Sequence, residues 1–339
     1  TPTYLMAISG DKVGNWGLAY TDCSTGELRV QIGNGDPLLF DAIDRIQASE
    51  CFIQQELYAK LSEKVERSES YVALRDDMAN DAICELLGIA DLRIFGLETI
   101  PVVYPAIWGI FDYLKRTHHT LLPQFTRISI DRPTDTLQLD GATIAHLELL
   151  HCAVNNEKKG TLFHILNRCQ TPMGTRRLRD ILIHPFADER VLNERLDAVE
   201  YFIKEKASQD PLRQQLKSLV DIPRVLTRIV SNIHSPKDCL DLAQSILLLP
   251  DLCKELENTR LPKALEASVS QLRELRQGHP VYELGNTLSA SIAQDAPTHI
   301  RQIGFIRPEA SEKLAQLLAS FESVRTWISN LETIEREAT

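Results

Sequence analysis

Three acidic residues near the start of the chain are the side chains that could support metal-dependent hydrolysis: Asp11, Asp22 and Glu50. A two-metal nuclease needs several carboxylates that converge on a pair of cations. The first apolar stretch, residues 4–8, contains no acid, so a nuclease built on that strand would lack its first metal ligand. Nuclease activity is therefore only an alternative. We expect Asp22 to accept hydrogen bonds within the turn at residues 24–26.

Histidines offer a second possible metal site. His118 and His119 are adjacent, and adjacent side chains on a helix diverge by about 100°. His146 and His151 are five positions apart, which is not the i, i+4 spacing of a helical metal pair. We expect solvated histidines near helix ends and no metal site. The chain also lacks the G-x-x-x-x-G-K-[ST] loop that cradles phosphates, so the sequence predicts no ATP site.

The densest basic cluster of the chain contains four arginines: Arg168, Arg176, Arg177 and Arg179. They could contact DNA phosphates or another domain of a larger protein. Alternatively, they could pair with acids on the same helical surface: Asp180, Asp188 and Glu189. Exposed pairs of this kind contribute only about 0.2–1 kcal/mol. We favour pairing, and we expect Arg176→Ala to lower the thermal stability of the chain.

Residues 160–185 predict two helices joined at a hinge. The first helix carries apolar residues at the spacing of a buried stripe: Leu162, Ile165 and Leu166. Thr171 is the expected N-cap of the second helix, because Pro172 follows at the first helical position. Gly174 in the first turn costs about 1 kcal/mol relative to alanine, so we expect a neighbour to pack against its bare backbone. The structural hinge candidates are Thr171, Gly174, Arg176 and Pro185.

The elements that position these residues change in type along the chain. Three strands in a meander, followed by alternating strands and helices, predict a mixed sheet with helical cover, as in ribonuclease H-like folds. After about residue 121 the sequence predicts a short β-rich link and then amphipathic helices. The last helix keeps a near-heptad apolar period over residues 314–334 and would run about 35–40 Å without a stop signal. The predicted fold class is α/β followed by all-α.

Composition limits the function classes. At 339 residues the chain can hold two or three domains. Its formal net charge of −10 argues against a protein whose main surface binds nucleic acid. Seven scattered cysteines without a C-x-x-C pair predict reduced, intracellular thiols. No apolar run reaches the roughly 18–20 residues of a membrane span. These features predict a cytoplasmic protein with no membrane partner.

Several sequence motifs resemble the MutS family of DNA mismatch-repair ATPases. Residues 17–27 fit G-x-A-x-x-D-x-S-T-G-E, and residues 139–149 fit L-D-x-x-T-x-x-x-L-E-L. Residues 171–186 fit T-x-M-G-x-R…L…P-[LF]. Residues 195–199 fit R-x-D-A-V, and residues 221–228 fit D-[IL]-x-R-x-L-x-R. The resemblance covers nearly the whole chain.

The resemblance implies a fragment with two domains. Residues 1–120 would be the ribonuclease H-like connector, and residues 121–339 an elongated helical core or lever, truncated before the clamp. The fragment would be a non-catalytic scaffold that couples mismatch binding to the ATPase and offers a surface for MutL. ATP and Mg would belong to the full-length protein, as would mismatched double-stranded DNA and homodimer formation. The chain itself is then expected to be a monomer without a cofactor.

Two alternatives to this scaffold stay open. The first is a ribonuclease H-like nuclease with a helical appendage. The second is a MutS relative that lacks mismatch reading, in which the scaffold role would be kept.

Overall fold

The N-terminal part of the chain forms a mixed β-sheet with helices on both faces. The computed structural model describes residues 3–65, 67–97, 100–117, 125, 127–131, 136–155, 157–254, 256, 261–299 and 304–338. Successive side chains point to opposite faces of the sheet, and the central strands at residues 4–10 and 15–22 bury side chains on both faces. The strands are β1 (Tyr4–Gly10), β2 (Asn15–Asp22), β3 (Glu27–Asn34), β4 (Glu50–Gln54), β5 (Ser68–Tyr71) and β6 (Arg127–Ile130).

The strand order in this sheet is β5-β4-β1-β2-β3-β6. Strand β2 runs antiparallel to β1 and β3, while the other neighbouring pairs are parallel. Tyr4 pairs with Asp22 at one end of the β1–β2 ladder, and Gly10 pairs with Trp16 at the other. The turn that carries Asp11 therefore lies at the opposite end of the ladder from Asp22.

Each face of the sheet has its own apolar core. One face packs Met6, Ile8 and Leu18 against helices α1 (Asp36–Ile46) and α2 (Gln55–Leu61). The other face is covered by helices α3 (Asp76–Leu87) and α4 (Tyr104–Thr117). Gly17 is required on that face, since a Cβ atom there would lie 2.6 Å from the Val102 carbonyl oxygen. Short 3₁₀ turns occur at Ser62–Lys64, Leu92–Phe95 and Pro101–Val103.

The rest of the chain is mostly helical. The next helices are α5 (Gly141–His146), α6 (Leu162–Leu166), α7 (Pro172–Ile183), α8 (Glu189–Lys204), α9 (Lys206–Lys217) and α10 (Ile222–Val230). They are followed by α11 (Pro236–Lys254), α12 (Lys263–Arg273), α13 (Pro280–Ser291) and α14 (Glu312–Ala338), with a 3₁₀ turn at Pro308–Ala310. Side-chain caps begin α5, α6, α7 and α8, at Asp140, Thr161, Thr171 and Asp188.

The backbone contacts divide the chain into two compact units. Unit 1 comprises Thr1–Ile233 and Thr259–Ala267, and unit 2 comprises His234–Asn258 and Ser268–Thr339. Within unit 2, α11 packs against α13, where a Cβ atom on Gly285 would lie 3.1 Å from the Ile246 side chain. No helix in the described part of the chain is long and apolar enough to cross a bilayer.

The coarse fold prediction is confirmed, because a mixed sheet precedes a mostly helical region. Three local sequence patterns predict something else than the structure shows. Residues 71–74 predict a strand, but β5 ends at Tyr71. Asp36-Pro37 predicts that Asp36 caps α1, but Gly35 occupies the N-cap. Pro250 predicts the end of a helix, which is also wrong. Helix α11 continues through Pro250 to Lys254, since Leu252 and Cys253 in its last turn are buried. The ribonuclease H-like label and the domain boundary at residue 120 stay predictions.

Candidate functional site: a charged junction between the sheet and the helices

The junction centres on α7, which faces the edge of the sheet where β1 begins and β2 ends. The Thr171 hydroxyl caps this helix by accepting a hydrogen bond from the Gly174 N–H at 3.0 Å. The cap prediction is therefore confirmed. A Cβ atom on Gly174 would lie 3.0 Å from Thr171 Oγ1 and 3.4 Å from Cys169 Cβ. The side chains that pack against the backbone of Gly174 are therefore Thr171, through its capping hydroxyl, and Cys169.

Arg176 joins α7 to the start of α10. Its guanidinium forms a bidentate pair with Asp221, with Nη2 2.8 Å from Oδ1 and Nη1 in contact with Oδ2. The two side chains are only 21% and 14% exposed. Charge-assisted bidentate pairs fix orientation as well as distance. Arg176 therefore sets the geometry between two helices, and the predicted pairing with Asp180, Asp188 or Glu189 is wrong for this residue.

Asp180 joins α7 to the sheet. It accepts two hydrogen bonds from Arg29 of β3, at 2.8 and 3.3 Å. Arg177 donates to the same carboxylate at 2.6 Å, and His184 Nδ1 lies 3.2 Å from it. Glu27 adds a contact of 3.0 Å to the Arg29 Nε. The Asp180 carboxylate thus contacts three basic side chains: Arg29 from the sheet, and Arg177 and His184 from α7 and the residue after it.

Arg224 of α10 lies between two carboxylates. Its Nη2 is 3.7 Å from Asp22 Oδ2 at the end of β2, and its Nε is 3.7 Å from Asp221 Oδ2. Both distances exceed hydrogen-bonding range. Asp22 Oδ2 and Arg224 Nε are buried atoms with no hydrogen-bond partner among the described residues. The contact is electrostatic and incompletely paired.

The two junction carboxylates are strongly biased toward the charged form. Burial raises the pKa of Asp180, but the hydrogen bond from His184 and the charge of Arg29 outweigh it and hold the pKa well below its usual range. Burial also raises the pKa of Asp221, and the pairing with Arg176 outweighs it, so this pKa is lowered as well. Both carboxylates therefore stay ionised at neutral pH.

A cleft of about 660 Å³ separates the sheet from the two helices at this junction. Its sheet wall includes Tyr4, Asp22 and Arg29, and its helix wall includes Met173 and Leu226. Leu226 remains 45% exposed. Ion pairs therefore join the sheet to the helices around a partly open space.

Pro185 lies just beyond α7 and ties it to the link that follows the sheet. Its carbonyl oxygen accepts a hydrogen bond of 2.7 Å from the Leu137 N–H, and Thr136 forms an antiparallel bridge with Phe186. The guanidinium of Arg195 lies 4.8 Å from the centre of the Phe186 ring. The four hinge candidates thus lie along one segment, and their role as a hinge stays a prediction.

The three candidate nuclease residues do not converge on one place. Asp22 and Glu50 line the same cleft, where the Tyr113 hydroxyl donates a hydrogen bond of 2.8 Å to Glu50, but Asp11 lies elsewhere. Asp11 and Asp22 are at opposite ends of the β1–β2 ladder, which is about 20 Å long at roughly 3.4 Å per residue. Asp22 accepts hydrogen bonds from the N–H and hydroxyl of Ser24, at 2.9 and 2.5 Å. The expected Asx-type turn is confirmed. Within the described ranges, no group of three or more His, Cys, Asp or Glu residues could hold a metal ion.

Other sequence predictions have mixed outcomes. All seven cysteines are free thiols. The stripe on α6 is not buried, since Leu162, Ile165 and Leu166 are 40%, 58% and 47% exposed. His118 and His119 lie outside the described residues. Among the described residues, Arg168 and Arg179 form no ion pair with a carboxylate, unlike Arg176 and Arg177.

Sequence reasoning missed the partners of the junction, Arg29, Asp221 and Arg224. Arg29 belongs to a polar face of β3 that alternates with the buried Leu28 and Val30. In a sheet covered by helices on both faces, such a polar face indicates that charged groups meet it. That signal could have identified Arg29 before the structure was known.

Two family models match this chain, the first over strands β1 to β5 and the second over the helices that follow the sheet. A family model described as MutS domain II matches residues 3–126, and one described as MutS domain III matches residues 142–338. The DNA mismatch repair protein MutS of Anaeromyxobacter dehalogenans (strain 2CP-C) is 33% identical over 331 residues, which is 96% of this chain and 37% of the relative. The corresponding protein of Halothermothrix orenii is 30% identical over 333 residues, covering 95% of this chain and 36% of the relative.

The chain thus spans a little over a third of the length of these relatives. The domain III match alone covers more than half of the chain. The junction residues fall into both matches, with Asp22 and Arg29 in the first and Asp180, Asp221 and Arg224 in the second. The chain belongs to the MutS family and carries its domains II and III.

Proposed function

We propose that this chain is a non-catalytic scaffold of a MutS-type mismatch-repair protein, in which the sheet of domain II is coupled mechanically to the helices of domain III. The observation that carries the proposal is the charged junction. Arg29 of the domain II match pairs with Asp180 of the domain III match through two hydrogen bonds. Arg176 then connects the same helix to Asp221. A displacement of the sheet would therefore act directly on two helices.

The bidentate geometry supports this role. A guanidinium fork that meets a carboxylate through two parallel hydrogen bonds resists rotation as well as separation. Long helices can pass small displacements on as nearly rigid bodies. In a full-length protein, the displacement would arise where mismatched double-stranded DNA binds and would end at an ATPase that uses ATP and Mg. We also assign to domain II the surface for MutL, and to the full-length protein the homodimer and a cytoplasmic location, on the family relationship.

The fold and the comparisons favour this proposal over its alternatives. The sheet order, with one antiparallel strand between parallel neighbours, supports a ribonuclease H-like label for domain II. The separation of Asp11 from Asp22 argues against a nuclease. The relatives carry the name DNA mismatch repair protein MutS, which favours mismatch repair over a branch without mismatch reading.

Two measurements on the purified chain test the proposal. ATP turnover should equal the buffer background, and turnover well above it would contradict the non-catalytic role. Hydrogen exchange should show the mechanical coupling. In Arg29→Gln, amide exchange should accelerate in both β3 and α7, while α13 of unit 2 keeps its wild-type rate. Acceleration confined to β3 would show that the junction does not couple the sheet to the helices.

The surface for MutL has its own experiment. Immobilised chain should retain purified MutL, and excess soluble chain should compete for it. Undiminished retention of MutL by the whole chain after the domain II surface is blocked with an antibody would contradict the assignment to domain II.

A further inference from the structure

A cavity of about 400 Å³ lies between β3, α1 and α7, beside the charged junction. Small ligands typically occupy cavities of about 300–1,000 Å³. Leu38 on the wall is 53% exposed, so the cavity opens to solvent beside this residue. The wall includes several large apolar side chains: Trp16, Ile32, Leu38, Ile130, Leu139 and Ile181. The apolar part of a ligand would therefore find contacts here.

Arg45 of α1 brings a buried positive charge to the wall of this cavity. Arg45 is only 8% exposed. Its Nη1 donates a hydrogen bond of 3.0 Å to Gln138 Oε1, and its Nη2 donates one of 3.2 Å to Gln31 Oε1. Both acceptors are neutral amides, and no carboxylate among the described residues forms an ion pair with Arg45. A buried charge is usually paired, because an unpaired ion is costly to remove from water.

The Arg45 guanidinium keeps donors that no protein group uses. An arginine carries five N–H donors, and the two glutamines occupy two of them. The buried Nε has no hydrogen-bond partner among the described residues. The Nε–H and one Nη–H of an arginine form a planar fork that matches the two oxygens of a carboxylate. Arg45 therefore offers a fork for an anion.

Four carboxylates also line the cavity, and none of them pairs with Arg45: Asp41, Asp131, Asp140 and Asp180. Asp180 already pairs with Arg29 and Arg177. Asp131 reaches Arg45 only through the Gln31 amide, which donates to Asp131 and accepts from Arg45. Burial lowers the pKa of Arg45, although the nearby acids act in the opposite direction. The protein itself therefore compensates this charge incompletely.

We propose that the cavity binds a small monocarboxylate with an apolar tail, and that the Arg45 fork holds its carboxylate. One negative charge matches the one incompletely compensated guanidinium, whereas the four acids on the wall would repel a dianion such as phosphate. The tail would contact the apolar side chains that line the cavity, such as Ile130 and Ile181. The inference is independent of the proposed function, because it requires no displacement at the junction.

Titration calorimetry of the whole chain with hexanoate at pH 7 provides the test. We expect one equivalent to bind with a dissociation constant of about 1 mM or lower. Hexanamide has nearly the same size and no charge, so it should bind at least about tenfold more weakly. Equal affinities of the two compounds, or no binding of hexanoate at about 10 mM, would overturn the proposal. Tighter binding of inorganic phosphate than of hexanoate would overturn the assignment to a monocarboxylate.

Two matched variants test the position of the site. Leu38→Trp places a larger side chain at the opening of the cavity and should weaken hexanoate binding at least about tenfold. Leu166→Trp makes the same change on α6, at a residue that is 47% exposed and does not line this cavity. It should leave the dissociation constant within about twofold of the wild type. Equal effects of the two variants would contradict binding in this cavity.

Arg45 has its own test. Arg45→Gln should abolish the preference for hexanoate over hexanamide, and a retained preference would contradict the role of the fork. Because this substitution removes buried hydrogen bonds, a measurement on the wild type accompanies it. The Nε–H resonance of Arg45 should shift when hexanoate is added, since this donor gains an acceptor. An unshifted resonance at saturating hexanoate would overturn the assignment to Arg45 even if the variant does not fold.

Discussion

Arg176→Ala is the sharpest test of the charged junction. The Arg176 and Asp221 side chains are 21% and 14% exposed, so the pair is neither fully buried nor solvated. Exposed pairs contribute about 0.2–1 kcal/mol, whereas removing one partner of a buried pair costs about 3–5 kcal/mol. We therefore expect a loss of about 2 kcal/mol in the free energy of unfolding of unit 1. The loss combines two broken hydrogen bonds with a carboxylate left partly buried and unpaired.

Urea unfolding followed by tryptophan fluorescence measures this loss. Trp16 and Trp108 report on unit 1, and a Trp327→Phe background removes the exposed indole of α14. Arg190→Ala is the matched control, because the pair with Asp188 has a longer distance of 3.5 Å and Arg190 is 79% exposed. The control should change stability by less than about 0.5 kcal/mol.

A double-mutant cycle with Asp221→Asn separates pairing from packing. If the bidentate pair accounts for the loss, the coupling energy between the two positions should be about 1–2 kcal/mol. A coupling near zero would show that Arg176 stabilises α7 through its aliphatic stem. A loss no larger than that of Arg190→Ala would refute the structural role of Arg176 altogether.

Three further predictions follow from particular contacts. Asp180 and Asp221 have lowered pKa values in the folded state, so their stabilisation is complete above the unfolded-state pKa of about 3.9 and is lost as the pH falls toward the folded values. The urea concentration at the unfolding midpoint should decrease as the pH is lowered below about 4. Asp180→Asn should weaken this pH dependence, and an unchanged dependence of the midpoint on pH in the variant would contradict the assignment. Gly174→Ala should lower stability by about 1 kcal/mol, because the new Cβ would lie 3.0 Å from the capping hydroxyl. In a Thr171→Ala background it should instead raise stability through helix propensity, and the same sign in both backgrounds would refute the contact argument. Pro250→Ala should stabilise unit 2 by about 1–2 kcal/mol, since it restores an N–H for the Ile246 carbonyl inside α11. Thermal unfolding followed by Trp327 fluorescence measures this change. A midpoint temperature no higher than that of the wild type would contradict the prediction.

The sequence predicts the elements of this chain better than it predicts their contacts. The meander of β1, β2 and β3, the helical character after the sheet and the cap at Thr171 follow from local apolar patterns and cap chemistry, which act within a few residues. Pro250 shows where local rules fail. A proline ends most helices, but burial of Leu252 and Cys253 continues α11 past it. Tertiary burial outweighed a local preference that costs about 3 kcal/mol in isolation.

The candidate site depends on contacts between distant positions, which a single sequence does not encode locally. Arg176 pairs across 45 residues and Arg29 across 151. The nearest acids, Asp180 and Asp188, were the natural expectation for the arginine cluster. Only Arg177 follows that expectation, at the i, i+3 spacing to Asp180. The choice between a local and a distant carboxylate is made by the packing of α7 beside the sheet.

A junction made of ion pairs differs physically from one made of apolar side chains. If the sheet and α7 separate, Arg29 and Asp180 regain water and lose little, whereas an apolar junction would expose its surface at about 25 cal/mol per Å². The open cleft between Met173 and the sheet already keeps part of the junction solvated. Arg224, 3.7 Å from a carboxylate on either side, lacks the short hydrogen bonds that would lock one arrangement. The junction therefore fixes direction through two bidentate pairs, while separating its parts costs little free energy, and both properties fit the coupling role that we propose.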